Sequence, residues 1–401
     1  MPVATITLET TSDHTYQDVI TASAANDHYL NDDIILDVDP QGMYDTAFKL
    51  RTQSGAFETG GRIVGEQVPI REPVLPFWLT PASRPRFQRL WGTPGNFKKV
   101  KCTWDGPSGP RSLILRLAKE ILYTTEEGFD ADIDEVIHAV VSALAVNPMY
   151  EGAEDISQWT NPDDRFNLVV RAWGGTFPLT FNGATTPNMP YTASAATIRA
   201  ALEALPTVGV GKVAVTGTAA TSSSASNFTV VFNGVNGVLT GSKANLDAAG
   251  IPPFQTQPTL TTKYADNIGW FDVWNPTDQP LWIEWAFDPA QRWQFPDFSF
   301  GQERKWNRAA GEDATRMIVT PELTQLLSVM SDPFMDTYVN ADLSNAAGLF
   351  NGVEPVYMVP PYTGTSDDPV LMPVICNGPA GVTASLRQRR FWSAESGLEE
   401  A

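Results

Sequence analysis

The sequence predicts a mainly β protein. Strand-like runs such as ATITLE, RSLILRL and LWIEWAF recur along the chain, each about four to eight residues long. Several of them alternate apolar and polar residues, which is the period of a half-buried strand. The 30 glycines and 31 prolines are scattered between these runs and supply turns at short intervals. These three observations together favour short strands joined by tight turns.

Length and charge limit the possible roles. The 401 residues are enough for two or three domains with separate cores. Charged residues make up only 18% of the chain, against a usual share of about 25%, so we expect other subunits to cover part of the surface. The net charge of −19 disfavours binding to nucleic-acid phosphates or to an anionic membrane.

The cysteines and the apolar runs indicate a cytoplasmic site of synthesis. Cys102 and Cys376 are too few for a disulfide framework and are predicted to be unpaired thiols. No apolar run approaches the roughly 18–20 residues that span a bilayer. The first residues show neither the basic nor the apolar region of a signal peptide. We therefore expect a protein made in a cytoplasm, without a membrane partner.

No motif for catalysis or metal binding is present. The chain has no Walker A, G-x-S-x-G or H-E-x-x-H pattern. Asp130, Asp132 and Asp134 resemble the start of a calcium loop, but Glu135 and Val141 occupy the positions where that loop needs Gly and Glu. We therefore predict a solvated acidic turn there, with no catalytic residue, no cofactor-binding residue, no metal ligand and no cofactor.

Two segments have helical spacing. In 192–206 one face is apolar, Thr192 or Ser194 can cap the start, and Pro206 ends the helix. That face holds Ile198, Ala201, Leu202 and Leu205. The run 133–144 also fits a helix face, although it is rich in the β-branched residues that strands favour. Its spacing alone favours a helix.

Composition changes sharply between residues 174 and 262. This stretch is rich in Ala, Thr, Gly, Ser and Asn, whereas Trp is frequent on both sides. We interpret 174–262 as a compact module inserted into a Trp-rich domain, with 166–173 and 270–287 as neighbouring strands of one sheet. NPTDQP at 275–280 is a turn by composition and predicts a hairpin between the strands beside it.

The tryptophans could serve either packing or sugar binding, and the clustered arginines either a subunit contact or phosphate binding. Exposed indoles can stack on sugar rings, but Trp274, Trp282 and Trp285 lie in strand runs, where core packing or a subunit contact is the default. Arg84, Arg86 and Arg89 have about helical spacing. In so acidic a chain we expect them to pair with a neighbouring subunit.

The order of several motifs resembles a known family. G-R-I-V-G-E at 61–66, I-R-E at 70–72 and the apolar strand to Leu79 resemble the N-terminal domain of siphophage distal tail proteins. The basic segment near Arg86, GPRSLILRLAKEILY at 109–123 and N-P-M-Y at 147–150 continue that order. VWNPTDQPLWIEWAF, FPDFSFG, MSDPFMDTYV, FNG, MVPPYTG and RQRRFW are similar to minor tail proteins of this type from phages of actinobacteria.

The inserted stretch has a likeness of its own. TFPLTFNG, ASAATIRAALEAL, GVGKVAVTG and NFTVVFNG resemble a small β-α-β-β module found in phage tail and virion surface proteins. Such modules are stabilising, adhesive or of unknown role, and the resemblance brings no catalytic residues with it.

The family resemblance implies a fold and a domain division. Residues 1–149 would be a ring-forming β-sandwich akin to tail-tube proteins. Residues 150–173 and 263–401 would be a second, galectin-like β-sandwich, with 174–262 as an α+β insertion. The resemblance also implies that 136–147 is a strand, against its local spacing.

The resemblance further implies a non-enzymatic virion protein at the tail tip or baseplate. It would form a homo-oligomeric ring, typically hexameric, between the tail tube and the baseplate. Its partners would be the major tail protein, the tape measure protein, the baseplate hub and other minor tail proteins, and DNA would pass through without specific binding. The alternatives are a host-surface carbohydrate-binding tail protein, a tail-tube or terminator protein, and a polysaccharide hydrolase.

Overall fold

The computed structural model describes residues 5–10, 19–23, 34–57, 59–125, 135–248, 257–297, 316–355 and 357–399. Within these residues the chain is mainly β, as the sequence predicts, with 33 strands and two α-helices. Their apolar side chains collect into three separate hydrophobic cores. The acidic run Asp130, Asp132 and Asp134 lies outside the described residues.

The first core lies between two antiparallel sheets. One has the strand order β2-β1-β9-β10, and the other has the order β3-β6-β12-β11. The sheets join where β10 pairs with the end of β12, Arg116 opposite Leu144 and Leu117 opposite Ala143. Inward residues alternate along strand β6, where Leu75, Phe77 and Leu79 are buried. The elements as far as residue 160, of which β14 belongs to a later sheet, are β1 Thr5–Thr10, β2 Val19–Ser23, β3 Ile34–Leu36, β4 Lys49–Gln53, β5 Arg62–Gln67, β6 Val74–Leu79, α1 Arg84–Trp91, β7 Gly92–Thr93, β8 Asn96–Phe97, β9 Val100–Gly106, β10 Gly109–Leu117, β11 Leu122–Thr124, β12 Ile137–Leu144, β13 Tyr150–Glu151 and β14 Asp155–Thr160.

Helix α1 covers one side of this core. Phe87, Leu90 and Trp91 are buried, which is the i, i+3, i+4 pattern of one helix face. Gly92 ends the helix with φ at 87°, and a Cβ there would lie 2.3 Å from the carbonyl oxygen of Asn96. Only glycine allows so tight an exit.

The second core belongs to an α+β unit. Its main sheet has the order β20-β21-β15-β24, and two three-stranded sheets, β19-β16-β23 and β18-β17-β22, complete it. The elements are β15 Asp164–Arg171, β16 Gly174–Phe177, β17 Leu179–Phe181, β18 Ala184–Thr185, β19 Met189–Pro190, α2 Ala195–Glu203, β20 Val213–Thr218, β21 Asn227–Phe232, β22 Leu239–Gly241, β23 Leu246–Asp247 and β24 Thr259–Tyr264.

Helix α2 confirms the predicted helix. The Ser194 hydroxyl accepts a hydrogen bond from the Thr197 N–H at 3.2 Å, so Ser194 is the N-cap. Ile198, Leu202 and Leu205 are buried in the core. The predicted apolar face is therefore the packed face.

The third core fills a β-sandwich. A five-stranded sheet, β14-β32-β26-β29-β30, faces a four-stranded one, β25-β31-β27-β28. The remaining elements are β25 Asn267–Val273, β26 Ile283–Phe287, β27 Arg292–Pro296, β28 Met317–Val319, β29 Leu327–Met330, β30 Tyr338–Asn340, a 3-10 helix Ala347–Phe350, β31 Val370–Asn377, β32 Thr383–Gln388 and β33 Phe391–Trp392.

Residues 137–144 form strand β12, so the helix favoured by local spacing is wrong and the strand implied by the family resemblance is confirmed. The strand pairs with β6 on one side and with β10 and β11 on the other. Pairing on both edges, together with β-branched side chains, outweighs the helical periodicity.

The predicted hairpin across 275–280 is also wrong, because β25 and β26 lie in different sheets. The chain crosses between the sheets at this turn. Asn275 forms a bridge with Thr363, and Leu281 forms one with Val359. The segment around 359–363 thus takes the backbone hydrogen bonds that a hairpin partner would have taken.

Strands β15 and β25 are not neighbours, although the flanks of the insertion are predicted to share a sheet. β15 pairs with β21 and β24, and β25 pairs with β31. Phe166 and Tyr264 pack in the second core, outside the predicted limits 174–262. We propose that the inserted module comprises residues 164–265, and we call it the module below.

Candidate functional site

The described residues offer contact surfaces rather than clustered reactive groups. Among them no three His, Cys, Asp or Glu side chains lie close enough to hold a metal ion. None of the helices in the described ranges is both long and apolar enough to cross a bilayer. Cys102 and Cys376 are buried thiols, and burial raises the pKa of each to about 12.

The most exposed structured element is a two-stranded hairpin that we call the arm, residues 48–70. Among the strands that the structure describes, β4 and β5 pair only with each other, and almost all of their residues are exposed. Phe57 lies in the turn between them and is fully exposed. A two-stranded hairpin with no packed face is marginally stable in water.

The two faces of the arm differ in chemistry. The alternation of the paired strands, with a bulge after Arg51, places Leu50 and Ile63 on one face. Lys49, Arg51 and Arg62 lie on the other face. The first face also carries Glu66, opposite Leu50, and Thr52, opposite Ile63. We call it the apolar face for its two exposed aliphatic side chains, and the other the basic face.

A groove of about 580 Å³ lies beside helix α1. Its apolar lining includes Phe97, Leu117, Ile121 and Tyr123. The guanidinium of Arg84 lies 4.9 Å from the ring centre of Tyr123, and burial raises the pKa of that phenol. Helix α1 exposes Arg86 and Arg89, which the sequence analysis assigned to a subunit contact; that assignment stays a prediction.

The C-terminal residues 391–399, which we call the strap, return to the first core. β33 pairs with β13, opposing Trp392 to Tyr150, and Trp392 is buried in that core. The Arg111 guanidinium lies 3.9 Å from the Trp392 ring centre and donates to the Ala394 carbonyl at 2.9 Å. The strap thus ties the C-terminal sandwich to the N-terminal sheets.

The side chain of Arg71 also contacts the strap, and it connects the strap to the residues that precede the arm. It is buried, and its burial lowers the pKa of its guanidinium. It lies 4.9 Å from the Tyr150 ring centre. It donates to the carbonyls of residues 42–44 at 2.7–3.3 Å, to those of Pro148 and Ser393 at 2.8 Å each, and to the Thr46 hydroxyl. One side chain therefore joins the base of the arm to the strap.

A second polar junction fixes the module to the C-terminal sandwich. Buried Asp164 accepts hydrogen bonds from the backbone N–H groups of Gly237, in the module, and Ala380, in the sandwich, at 2.5 Å each. On the sandwich side of this junction, the Asn267 amide donates to the Asn161 side-chain oxygen at 2.6 Å, which holds the two ends of the chain that flank the module together. Buried hydrogen bonds of this kind hold a fixed orientation, because breaking them leaves unsatisfied groups.

The tryptophans predicted in strand runs are packed. Trp285 is buried, and Trp274 and Trp282 are half-buried. Among the described residues the exposed indoles are those of Trp173 and Trp270, at 49% and 58% exposure. Sequence reasoning missed both, although the alternation in β25, with Phe271 and Val273 inward, places Trp270 outward.

Comparison with known proteins gives structural similarity only. No family model matches the chain, and no curated protein matches it. The Dit protein of phage SPP1, described as a paradigm of the hub adsorption apparatus in phages that infect Gram-positive bacteria, is 8% identical with a TM-score of 0.42, over 89% of this chain and 93% of that chain.

Two structures of the phage P2 baseplate in its activated conformation are also similar. The one with Ca is 9% identical with a TM-score of 0.39, over 97% of this chain and 98% of that chain. The one with Sr is 8% identical with a TM-score of 0.40, over 96% and 98%. Identities and TM-scores this low do not assign a role to this chain.

Proposed function

We propose that this chain is a non-enzymatic structural subunit of a phage tail, a distal or minor tail protein that forms a ring between the tail tube and the tail tip. The ring would be hexameric, contact the major tail protein, the tape measure protein and the baseplate hub, and let DNA pass. The ordered motifs from residue 61 to residue 392 support this role, as does the mainly β fold with three cores.

The arm is the observation that carries the proposal. A closed ring needs two different surfaces on each subunit that fit one another head to tail. The arm presents two exposed aliphatic side chains, a fully exposed Phe57 and strand edges that no other described strand pairs with. Such edges offer N–H and C=O groups with which a strand of another chain can pair. Seating on a neighbouring copy would bury the apolar face and complete the sheet.

Charge favours another copy as the neighbour. The arm contains three basic and two acidic residues, a net charge of +1, which leaves −20 for the rest of a chain whose total is −19. The basic face of the arm would therefore meet an acidic surface on another copy. The same acidic balance weakens contact between the ring and DNA, because like charges repel.

Electron microscopy of purified Ile63→Lys protein tests this role. Ile63 is 63% exposed on the apolar face, so lysine is expected to leave the subunit folded and to abolish rings, since its charge would be desolvated at the contact. Val238→Lys, at a 56% exposed valine of the module, is the matched control and should form rings like the wild type.

Two results would count against the proposal. If Ile63→Lys forms rings as abundantly as the wild type, the arm is not part of the contact between subunits. If the wild-type protein forms no ring, alone or on isolated tail tubes, the proposal of a ring-forming subunit is wrong. Circular dichroism of both variants separates lost assembly from lost folding.

A further inference from the structure

One sheet of the C-terminal sandwich is apolar on both of its sides. Its strands β25, β31, β27 and β28 turn residues such as Phe271, Val374 and Trp293 into the third core, so the residues between these point outward. An antiparallel sheet that covers a single core normally turns polar residues to water on its other side. Here most outward residues are apolar, and those that define what we call the outer face are Ile268, Trp270, Leu371, Pro373, Ile375 and Val319.

The register of the strands joins these side chains into one continuous patch. A row crosses all four strands, from Ile268 through Ile375 and Gln294 to Val319. The next row begins at Trp270. Ile268, Trp270 and Val319 are 49–58% exposed. The patch amounts to on the order of 500 Å² of apolar surface, in the upper part of the roughly 300–600 Å² that the largest patch on a monomer reaches.

Charge lies at the two ends of the outer face. Among the outward positions of the four described strands, only Asp272 and Arg292 are charged, and the register places them at opposite ends. Beside Asp272, the exposed Asp367 and Asp368 lie in the turn before β31, which makes this end acidic. At the other end Arg292 forms an ion pair with Asp266 at 3.0 Å, so that end is balanced. An occupant must therefore cover an apolar centre without bringing further acidic groups to the acidic end.

We propose that the outer face binds the same face of a second copy of this chain. Two sheets can stack face to face about 10 Å apart with their side chains interdigitated. Two such patches would bury about 1,000 Å² in total before their polar rims are counted, which is the area that a specific contact needs. A two-fold axis that runs across the strands lays the acidic end of each copy over the balanced end of the other. Asp272 then does not face its own counterpart.

This contact is separate from the ring contact of the proposed function, because the outer face shares no residue with the arm. A two-fold contact has no place inside a single six-fold ring. It would therefore join free subunits to one another, or one ring to a second ring. Either contact removes the Trp270 indole and its apolar neighbours from water, which supplies the driving force for pairing.

Sedimentation equilibrium of full-length Ile63→Lys protein tests the pairing, because that substitution in the arm is expected to remove rings. We expect a reversible equilibrium between monomer and dimer. Adding Trp270→Lys should raise the dissociation constant by about 100-fold or more, since a two-fold contact contains the substituted residue twice. Adding Leu371→Lys instead should act in the same direction. Trp173→Lys is the matched control, because it replaces an exposed indole of the module, and it should leave the dimer unchanged.

The inference is overturned if the Ile63→Lys protein stays monomeric throughout the concentration series, because the outer face then has a different occupant. It is also overturned if Trp270→Lys and Leu371→Lys dimerise like their parent, or if Trp173→Lys loses the dimer equally. Circular dichroism shows whether each variant is folded. If the Ile63→Lys protein still forms rings, the arm is not the ring contact. Pairing is then measured from the mass of the particles, which Trp270→Lys should halve.

Discussion

Arg71 shows how much one side chain can hold together. Its donors meet backbone carbonyls from three separate parts of the chain, including Pro148 and Ser393. A guanidinium has five N–H groups in a fixed plane, whereas a lysine ammonium has three on a flexible stem. Sequence reasoning placed Arg71 only within a motif of the resemblance, because nothing local shows that distant carbonyls converge on it.

Arg71→Lys should lower the free energy of unfolding by about 3 kcal/mol, because several buried carbonyls would lose their donor. Urea unfolding followed by tryptophan fluorescence measures this loss. Arg199→Lys is the control, since Arg199 lies on the surface of α2 and pairs only with Glu203. A loss for Arg71→Lys no larger than for the control would contradict the role of Arg71 as a junction.

The two thiols should be unreactive in the folded protein. The pKa of each is raised to about 12 by burial, so almost no thiolate exists at pH 8. Ellman's reagent at pH 8 is expected to label neither Cys102 nor Cys376 until denaturant is added. Rapid labelling of a native thiol would show that its core opens readily.

At the scale of elements, local signals predicted α2 well and β12 poorly. In α2 the cap, the apolar face and Pro206 agree, and local chemistry decides the outcome. In β12 the apolar residues fit both the period of a helix and that of a strand. Only the pairing with β6 and β10 selects the strand. The sequence analysis placed residues 61–66 of the arm only within a motif of the resemblance, and the exposure of the arm depends on where the rest of the chain lies.

The strap contributes a tryptophan to a core made almost entirely by residues 6–150. Trp392→Ala should therefore lower the stability of the N-terminal sheets by about 3–5 kcal/mol, as is usual when a buried large aromatic is removed. Hydrogen exchange of β10 and β13 would measure the loss. Trp270→Ala should cost little by comparison. Unchanged protection in Trp392→Ala would show that the strap is only loosely attached.

For the whole molecule, the domain division 1–149, 150–173 with 263–401, and the insertion 174–262 stays a prediction, and the limits 164–265 are our proposal for the module. The change in composition marks surface loops of the module, while its outer strands β15 and β24 look like any half-buried strand. The strap could not be predicted either, since pairing between residues 150 and 392 leaves no local trace. The candidate surfaces depend on the fold, because the exposure of the arm and the return of residues 391–399 follow from contacts distant in sequence.

Removal of the module should leave the ring intact. Asn161 and Asn267 lie outside the module and bond directly to each other, so a short Gly-Ser linker in place of residues 165–264 can close the gap. We expect rings of unchanged diameter and symmetry by electron microscopy. Failure to form rings, with the remaining cores still folded, would place the module in the subunit contact.

The return of the strap also sets the timing of maturation during translation. The N-terminal core receives its last aromatic residue roughly 240 residues after Tyr150, on the order of 10–50 s later at ordinary ribosome speeds. Until then a nascent chain presents the arm on an unfinished scaffold. The N-terminal sheets are therefore expected to reach full stability only once residues 391–399 have been synthesised.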